Sequence, residues 1–542
     1  MGKPVECWFA FMAKQTQGPP RVFLREATGL VKELSLRHIL AFNLINVGYG
    51  LDITYMLSSL TLYPGGDPVL ATLIAALLFV PLGVCYAMLL MATPRAGGDY
   101  VFVSRALHPA LGYILNFTFI VWILFYSGAY MNWMFTLALA PAFTIIGSIE
   151  NVAAVSSIGA LMSSSTFVIA ASIVIMILLG LIATFARKAL LALTVYSVYA
   201  GVLSTIIIAI VFAMSSQAQF IHNFNLYAAP LTNSTDYYHS VIASAHANYT
   251  SMSWPATIGL IPIGAFFFIY ISIQQVVGGE IKNVQRSAWM GILFTFVISG
   301  LFIAGLCWLS VQVMGYNFLV AIAYVTTLPI PTYYSALVGV LMGGNALLLW
   351  VTEILFAGWY ICIPVMNFFL VSRYMLASSM DGITPSVFAR VSDRFHTPYV
   401  GIWIVVVASV IMAIIYTLFA NLFAALSAFT GELLGAYLLI CLACIAFPFR
   451  RGTKDLFEAS TVKWRIAGVP VMSISGVLAT VVLLVIGYTM LTNSVYGVNS
   501  FWSLVAVVLT VVVGLLIFIA SYAYKKSKGL DLMLAFRQIP PE

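Results

Sequence analysis

The sequence predicts an all-α membrane protein with about twelve transmembrane helices. Hydrophobic residues make up 62% of the 542 residues and charged residues only 8%, with a mean hydropathy of +1.04. A soluble domain carries about 25% charged residues. Apolar runs of about 20 residues, each long enough to cross roughly 30 Å of hydrocarbon, recur along the chain. Finally, lysine and arginine occur only between alternate runs. These observations exclude a water-soluble fold.

The apolar runs divide the chain into twelve predicted spans, numbered here in chain order. Spans 1 to 6 cover residues 38–60, 67–92, 109–141, 156–185, 189–214 and 256–279. Spans 7 to 12 cover residues 288–313, 346–372, 399–419, 422–447, 469–491 and 499–523. We expect an N-terminal tail (1–34), a core (35–450), a region with spans 11 and 12 (451–523) and a C-terminal tail (524–542).

The basic residues predict the direction of the spans. All 24 lysines and arginines lie in the two tails or in the loops after spans 2, 4, 6, 8 and 10. The other loops have none, although one of them, between spans 5 and 6, is about forty residues long. Because lysine and arginine accumulate in cytoplasmic loops, both termini are predicted to be cytoplasmic. The net charge of +7 therefore indicates topology and not a nucleic-acid partner, and we expect a multi-pass protein of the plasma membrane.

Two sequons fall in the long loop between spans 5 and 6, at Asn233 and Asn248. That loop is predicted to be external, which is where a glycosylation acceptor has to lie. Both asparagines are therefore glycosylation candidates, with chance occurrence of the triplets as the alternative.

We expect no enzyme active site, no cofactor and no metal. The six histidines lie in loops or at span ends, without a metal-ligand spacing such as HExxH. Cys441 and Cys444 have CxxC spacing, but they lie inside the apolar span 10, where helix packing is the simpler interpretation.

Span 1 contains the first candidate binding site. Its glycines Gly48 and Gly50 lie in mid-span, where glycine weakens a helix and permits unwinding. An interrupted helix exposes N–H groups that suit a carboxylate and carbonyl groups that suit an ammonium ion. Asn46, Val47, Gly48, Tyr49 and Gly50 are therefore predicted to bind substrate. The alternative is that the two glycines serve close helix packing.

Four separated segments resemble the amino acid–polyamine–organocation (APC) superfamily of permeases. They are Gly48-Tyr49-Gly50, the loop PRAGGDY (94–100) with the SRA that follows it, GEIKN (279–283) at the end of span 6, and Ser372-Arg373 with MDGITP (380–385) after span 8. In these loops the candidate motif residues are Arg95, Gly97, Gly98, Glu280, Lys282, Arg373 and Asp381. Two positions depart from the family pattern, with Tyr270 where a glycine is usual and Val284 where a proline is usual.

The resemblance implies a leucine-transporter-like fold. Helices 1–5 and 6–10, within about 38–214 and 256–447, would form two inverted repeats, followed by two peripheral helices. It further implies secondary transport by alternating access. Position-wise matching places Phe266 and Phe268 over the substrate as gate residues and offers the carbonyl of Ile269 to an ammonium group.

Three acidic residues lie inside predicted spans: Asp52, Glu353 and Glu432. Placing an ionisable side chain inside a membrane costs free energy, so such residues are functional candidates by default. A carboxyl group removed from water can exchange protons near neutral pH. All three are candidates for proton coupling, with helix capping by Asp52 and access of Glu353 to interfacial water as alternatives.

The expected function is secondary active transport of amino acids, either by symport with protons or by exchange of one amino acid for another. Sodium ranks lower, because span 8 offers few hydroxyl groups for a sodium site. Alternatives are an amine, polyamine or cationic amino acid antiporter, and an amino acid sensor or channel without coupled flux. A major-facilitator protein would normally have a longer central loop. The expected partners are a small-molecule substrate and the lipid bilayer, with the chain as a monomer or homodimer.

Overall fold

The protein is described by a computed structural model that covers residues 30–45, 49–247, 249–269, 273–322, 334–343, 345–419 and 431–537. This part of the chain is almost entirely helical. Its one strand pair is short and antiparallel, with Arg465–Ile466 against Val469–Pro470. Ten of the described helices are long and apolar enough to cross a membrane. The all-α membrane fold predicted from the sequence is therefore confirmed.

The long helices follow the predicted spans. Span 1 is described as Leu36–Ile45 and Tyr49–Ser58, span 2 as Pro68–Ala92, span 3 as Pro109–Trp133 continued by Met134–Leu139 and Ala140–Ile149, span 4 as Ser165–Phe185, span 5 as Arg187–Met214, and span 6 as Trp254–Ile269 and Ile273–Val276. Span 7 is Val284–Met314, span 8 is Ala346–Phe356 with Gly358–Met380, span 9 is Tyr399–Leu418, span 11 is Val471–Thr492 and span 12 is Phe501–Ser527. The described helix of span 10 is Glu432–Ala446. Spans 1 and 10, described only in short pieces, would complete the predicted twelve.

Shorter helices fill the connections. They are Gly98–Ala106, Ala153–Ser163, Gln217–Thr232, Tyr237–Ser244, Tyr316–Ile322, Tyr334–Leu341, Lys454–Ala459 and Leu532–Ala535, with 3₁₀ turns at Ser59–Thr61, Gly278–Glu280, Ser386–Ala389 and Ser494–Tyr496. The helix of span 12 continues four residues into the predicted C-terminal tail, and Leu532 and Phe536 are buried against the bundle.

The predicted boundary between spans 3 and 4 is wrong. Span 3 continues to Ile149, and residues 153–163 form a separate helix that packs back on its end. A new helix begins at Ser165 because the side chain of Ser164 accepts a hydrogen bond from the amide of Phe167. The short helix is apolar, so hydropathy could not distinguish it from the span that follows.

The loops that carry the basic residues meet at one end of the bundle. The amide of Leu34 donates to the carbonyl of Glu280 at 2.9 Å, which joins the N-terminal segment to the loop after span 6. At the other end, the hydroxyl of Tyr496 donates to the carbonyl of Gly259 at 2.6 Å, which joins the loop between spans 11 and 12 to span 6. We call the first end the basic face. It is formed by the N-terminal segment, the loops after spans 2, 4, 6, 8 and 10, and the C-terminal residues. We call the second end the opposite face.

Three pairs of helices that are five apart in sequence order pack against each other. Span 2 contacts span 7, span 3 contacts span 8, and span 4 contacts span 9. The contacts are close, since a Cβ atom on Gly83 of span 2 would lie 2.4 Å from the ring of Phe296 in span 7. In the second pair, the amide of Asn367 donates to the hydroxyl of Ser127 at 2.6 Å. This pairing agrees with two inverted repeats of five helices each.

Candidate functional site

The predicted binding residues of span 1 lie only partly within the described residues. Asn46, Val47 and Gly48 lie outside the described residues. Tyr49 and Gly50 form the first turn of the second helix, Tyr49–Ser58. The first four N–H groups of any helix have no partner within it, and they carry the positive end of the helix dipole. If span 1 is interrupted at its glycines, as predicted, the N–H groups that follow the interruption would suit a carboxylate, and this stays a prediction.

The corresponding segment of span 6 is the helix Trp254–Ile269. It is described as far as Ile269, whose carbonyl is the predicted acceptor for the ammonium group. Tyr270, which stands where the family usually has glycine, lies outside the described residues. Whether the two segments form one binding site stays a prediction.

The two predicted gate residues differ in their surroundings. Phe266 is half-buried, and its ring meets that of Tyr55 of span 1 edge to face, with centroids 6.4 Å apart. Phe268 is completely buried and stacks on Phe296 of span 7 at 5.8 Å. A gate residue has to reach the substrate pathway, so Phe266 fits that role, whereas Phe268 packs the interface between spans 6 and 7.

The structure separates the three intramembrane acids. Asp52 is half-buried in the first turn of the helix Tyr49–Ser58, and its Oδ2 atom has no hydrogen-bond partner among the described residues. Glu353 of span 8 is only 1% exposed, and neither of its carboxyl oxygens has a partner in that part of the chain. It therefore does not reach interfacial water, which was the alternative considered above. Glu432 begins the helix Glu432–Ala446, and its side chain lies outside the described residues.

Neighbouring contacts place Asp52 and Glu353 on different interfaces. Asp52 is close enough to the hydroxyl of Tyr130 in span 3 and the thiol of Cys307 in span 7 to interact with both electrostatically. Beside Glu353, the carbonyl of Thr352 accepts a hydrogen bond at 2.9 Å from Ser204 of span 5. Asp52 thus lies near spans 3 and 7, and Glu353 lies where span 8 packs on span 5.

A buried ion cluster joins four segments at the basic face. Both carboxyl oxygens of Glu280 accept from Arg373, with the Nε atom at 2.8 Å and the Nη2 atom at 3.1 Å. Arg187 donates its Nη2 to the same carboxylate at 2.6 Å and lies 3.9 Å from Glu33. Glu280, Arg187 and Arg373 are all buried. We call these three residues the Glu280 cluster, and it joins the ends of spans 5, 6 and 8 to the N-terminal segment.

The two motif glycines of the loop after span 2 allow it to contact span 6 and span 8. Gly97 has a φ of +69°, in the left-handed region, and a Cβ atom there would lie 2.5 Å from Ala377 of span 8. A Cβ atom on Gly98 would lie 2.4 Å from the carbonyl oxygen of Gln275. The amide of Gly97 donates to the carbonyl of Val276 at 2.8 Å. Larger residues would push this loop away from the end of span 6.

Asp381 lies in a second buried ion pair at the same face. Its carboxylate accepts from Nη1 and Nη2 of Arg105 at 2.6 and 2.9 Å, and from the hydroxyl of Tyr100 at 2.6 Å. The ring of Phe536, from the C-terminal residues, lies 4.9 Å from the guanidinium of Arg105 and covers it. The loops after spans 2 and 8 are thereby joined to each other and to the end of the chain.

A buried carboxyl group lies beside these pairs. The hydroxyl of Tyr374 donates to Oδ2 of Asp99 at 2.6 Å, and Asp99 is completely buried. Burial raises the pKa of Asp99 to about 7, although hydrogen bonding from tyrosine hydroxyls partly opposes this. Asp99 is therefore a titratable group near neutral pH in a connection between two spans.

The remaining predicted residues have simpler environments. Arg95 donates to the carbonyl of the preceding Pro94, and Lys282 is exposed while its amide donates to the carbonyl of Leu34. Asn233 is exposed at the end of the helix Gln217–Thr232 on the opposite face, and Asn248 lies outside the described residues. In the described part of the chain, no group of three or more His, Cys, Asp or Glu residues is arranged to hold a metal ion.

Two buried arginines were not among the predicted site residues. Arg187 was interpreted only as a marker of topology and Arg105 also as part of the SRA motif, yet the side chain of each is buried against an acidic motif residue. Arg105 was marked by its place in the SRA motif, whereas the sequence around Arg187 has no acidic residue that would mark it.

The structure is a bundle of apolar helices that pair five apart and whose loops close one end through buried ion pairs, which is the architecture of an all-α membrane transporter. A family model described as amino acid permease matches residues 38–513. The match covers most of the chain, so the protein belongs to this permease family of the APC superfamily. It is a multi-pass membrane protein that transports amino acids or related compounds. No curated protein matches the sequence.

Proposed function

We propose that the protein is a secondary active amino acid transporter of the plasma membrane that works by alternating access, with its basic face and both termini in the cytoplasm. The observation that supports this most directly is the Glu280 cluster, which joins spans 5, 6 and 8 at one end. At the opposite face, Tyr55 and Phe266 meet through one edge-to-face ring contact. Many buried contacts at the basic face and few at the opposite face are expected of a conformation that is closed on the basic face. To leave that conformation during transport, the buried ion pairs would have to separate.

The substrate would bind between spans 1 and 6. Its carboxylate would accept from N–H groups that the predicted interruption of span 1 at its glycines frees. Its ammonium group would donate to carbonyl groups near Ile269 that a predicted interruption of span 6 frees. Phe266 would cover the site from the opposite face. The carboxyl group of Asp52 would lie near the ammonium end or carry a proton.

Glu353 is the strongest candidate for proton coupling. A carboxylate that is 1% exposed and lacks a hydrogen-bond partner among the described residues would be costly in its charged form. A proton bound there removes that cost. Loading and unloading of this proton would couple the packing of span 8 against span 5 to the proton gradient. Sodium would not be required.

Uptake into proteoliposomes under an imposed pH gradient tests the proposal. We expect saturable uptake that a gradient accelerates in wild type, and uptake of Glu353→Gln that no longer responds to the gradient. Glu150→Gln is the matched control, because Glu150 is exposed at the turn between spans 3 and 4 on the opposite face. If Glu353→Gln keeps the full pH response, the proton assignment is wrong, and Asp52→Asn becomes the next variant to measure.

Exchange and the non-transporting alternatives are separated by the same preparation. Acceleration of uptake by substrate inside the vesicle indicates exchange. Flux that rises linearly with substrate indicates a channel, and binding without flux indicates a sensor; either result contradicts the proposal. A carboxylate at Asp52 close to the predicted site keeps a cationic amino acid or amine as an alternative substrate, which competition by lysine and putrescine measures.

A further inference from the structure

The connection between spans 10 and 11 contains a small folded element at the basic face, which we call the interfacial hairpin (residues 463–470). Every residue from 463 to 469 is exposed, including Trp464, Ile466 and Val469, and Ile466 is 62% exposed. Single exposed apolar residues are common on proteins. Three of them within six positions form an apolar patch, which is typical of a surface that contacts a membrane or a partner.

The hairpin is held firmly by its surroundings. The register pairs Arg465 with Pro470, and the amide of Val471 donates to the carbonyl of Trp464 at 2.9 Å. Immediately before it, Phe457 and Val462 are completely buried in the main core. The exposed side chains are therefore presented by an anchored element, and their exposure is not a property of a loose loop.

Two contacts set the depth of the hairpin relative to the membrane. Its Trp464 stacks on Trp289 of span 7, with ring centroids 5.6 Å apart. Trp289 is the sixth residue of the helix Val284–Met314, about 7 to 8 Å along the axis from its start at 1.5 Å per residue. The residue after the hairpin, Val471, begins span 11. The hairpin therefore lies at the level of the helix ends, where tryptophan is enriched at the membrane–water interface.

The same element is positively charged. The segment from span 10 to span 11 carries Arg450, Arg451, Lys454, Lys463 and Arg465 against two acidic residues, Asp455 and Glu458. Glu458 is engaged by Arg465 at 2.6 Å, and Arg450 donates to the carbonyl of Leu107 at 2.8 Å. Arg451, Lys454 and Lys463 have exposed side chains. Arg286, also exposed, lies three residues before Trp289 and so on the same side of span 7.

We propose that the interfacial hairpin and the basic residues around it bind an anionic phospholipid. Arg451, Lys454 and Lys463 would face the headgroup, while Ile466 and Val469 would lie among the upper acyl carbons. Cations next to a membrane-embedded apolar surface are the pattern by which proteins recognise acidic lipids. A zwitterionic lipid would satisfy the apolar patch but leave the positive charge uncompensated. Anionic lipid would thereby support the packing of the hairpin against span 7 through the two stacked tryptophans.

Lipid retention by the full-length, detergent-purified protein tests the proposal. We compare dioleoyl phosphatidylglycerol with dioleoyl phosphatidylcholine by native mass spectrometry and by the thermal shift on lipid addition. The test variant is Arg451→Gln/Lys454→Gln/Lys463→Gln. The matched control, Lys525→Gln/Lys526→Gln/Lys528→Gln, removes the same charge from the same face at the end of span 12.

We expect phosphatidylglycerol to be retained by wild type and control, and to bind the test variant about a hundredfold more weakly, at roughly fivefold for each lost cation. Glycerol phosphate, which has the headgroup chemistry without acyl chains, should give no thermal shift; an equal shift would assign the site to a soluble anion. Equal retention by test variant and wild type, equal losses in test and control, or equal effects of both lipids would each overturn the proposal.

Fluorescence gives a second measurement that does not depend on charge. Phosphatidylglycerol with brominated acyl chains should quench the emission that is lost in Trp464→Phe. If that emission is instead quenched only by acrylamide in water, the hairpin faces solvent and the proposal is wrong.

Discussion

Replacing Glu280 by glutamine removes the only carboxylate among the described residues that contacts both arginines of the Glu280 cluster. The change keeps the size of the side chain and removes its charge. Arg373 then has no charged partner within the described contacts, and Arg187 retains only Glu33 at 3.9 Å. Both guanidinium groups stay buried, because the surrounding helices hold them. The variant therefore measures the cost of two buried positive charges without their counter-charge.

The magnitude follows from burial. Removing one partner of a buried ion pair costs about 3 to 5 kcal/mol, since the other charge is left uncompensated away from water. Three charge-assisted hydrogen bonds at 2.6, 2.8 and 3.1 Å are weakened together, so their individual contributions are not additive. We expect Glu280→Gln to lower the free energy of unfolding by about 3 to 5 kcal/mol.

Glu458→Gln is the control. It removes the same charge from an ion pair of the same length, 2.6 Å to Arg465, but the two side chains are 44% and 41% exposed. An exposed pair contributes less than about 1 kcal/mol. Denaturant titration in mixed micelles compares the two variants directly. Equal losses of stability in both would refute the argument that burial of the Glu280 cluster sets the cost.

A conformational measurement accompanies the stability measurement. Ala96 is buried where the loop after span 2 meets Val277 of span 6. In an Ala96→Cys background lacking Cys7, Glu280→Gln should increase the rate of maleimide labelling, because separation of the basic-face segments exposes this position. An unchanged labelling rate together with lost stability would mean that the cluster stabilises the fold without controlling access.

Three further predictions concern single side chains. Burial raises the pKa of Asp99 from 3.8 to about 7, so the folded state keeps the carboxyl protonated over a pH range in which the unfolded state ionises. The free energy of unfolding of wild type should therefore fall as the pH rises from about 4 to about 7, by about 4 kcal/mol in total. That of Asp99→Asn should not change in this way. Gly98→Ala should cost about 1 to 3 kcal/mol through contact with a backbone carbonyl, whereas Gly452→Ala, with open space around it, should be within about 0.5 kcal/mol of wild type by the same titration. Phe268→Ala should cost about 3 to 5 kcal/mol of stability, while Phe266→Ala should raise the apparent KM for uptake with a smaller loss of stability.

Hydropathy and charge predicted most of the architecture because the bilayer leaves few alternatives. A helix that crosses the membrane has to be long and apolar, and its flanking charges have to alternate by side. The helix Ala153–Ser163 escaped this reasoning, since it is apolar and lies directly before span 4. The helix Ala153–Ser163 is separated from span 4 by a local hydrogen bond at Ser164, which composition does not reveal.

The motif residues were predictable as a set but not in their roles. Gly97, Glu280, Arg373 and Asp381 were singled out by resemblance, and the structure supplies the physical reason in close approach and ion pairing. Arg187 could not be separated by pattern from the arginines that only mark topology, because its distinguishing property is burial by segments distant in the sequence.

The Glu280 cluster also has a consequence for synthesis of the chain. Arg187, Glu280 and Arg373 follow one another at intervals of 93 residues. At 5 to 20 residues per second, each interval takes roughly 5 to 20 s of translation. Arg187 therefore enters the membrane long before its counter-charge is made, and remains hydrated or held by other proteins until span 6 arrives. Glu280 in turn is made before Arg373, so a chain that stops before span 8 carries an incomplete cluster with a buried charge left unpaired.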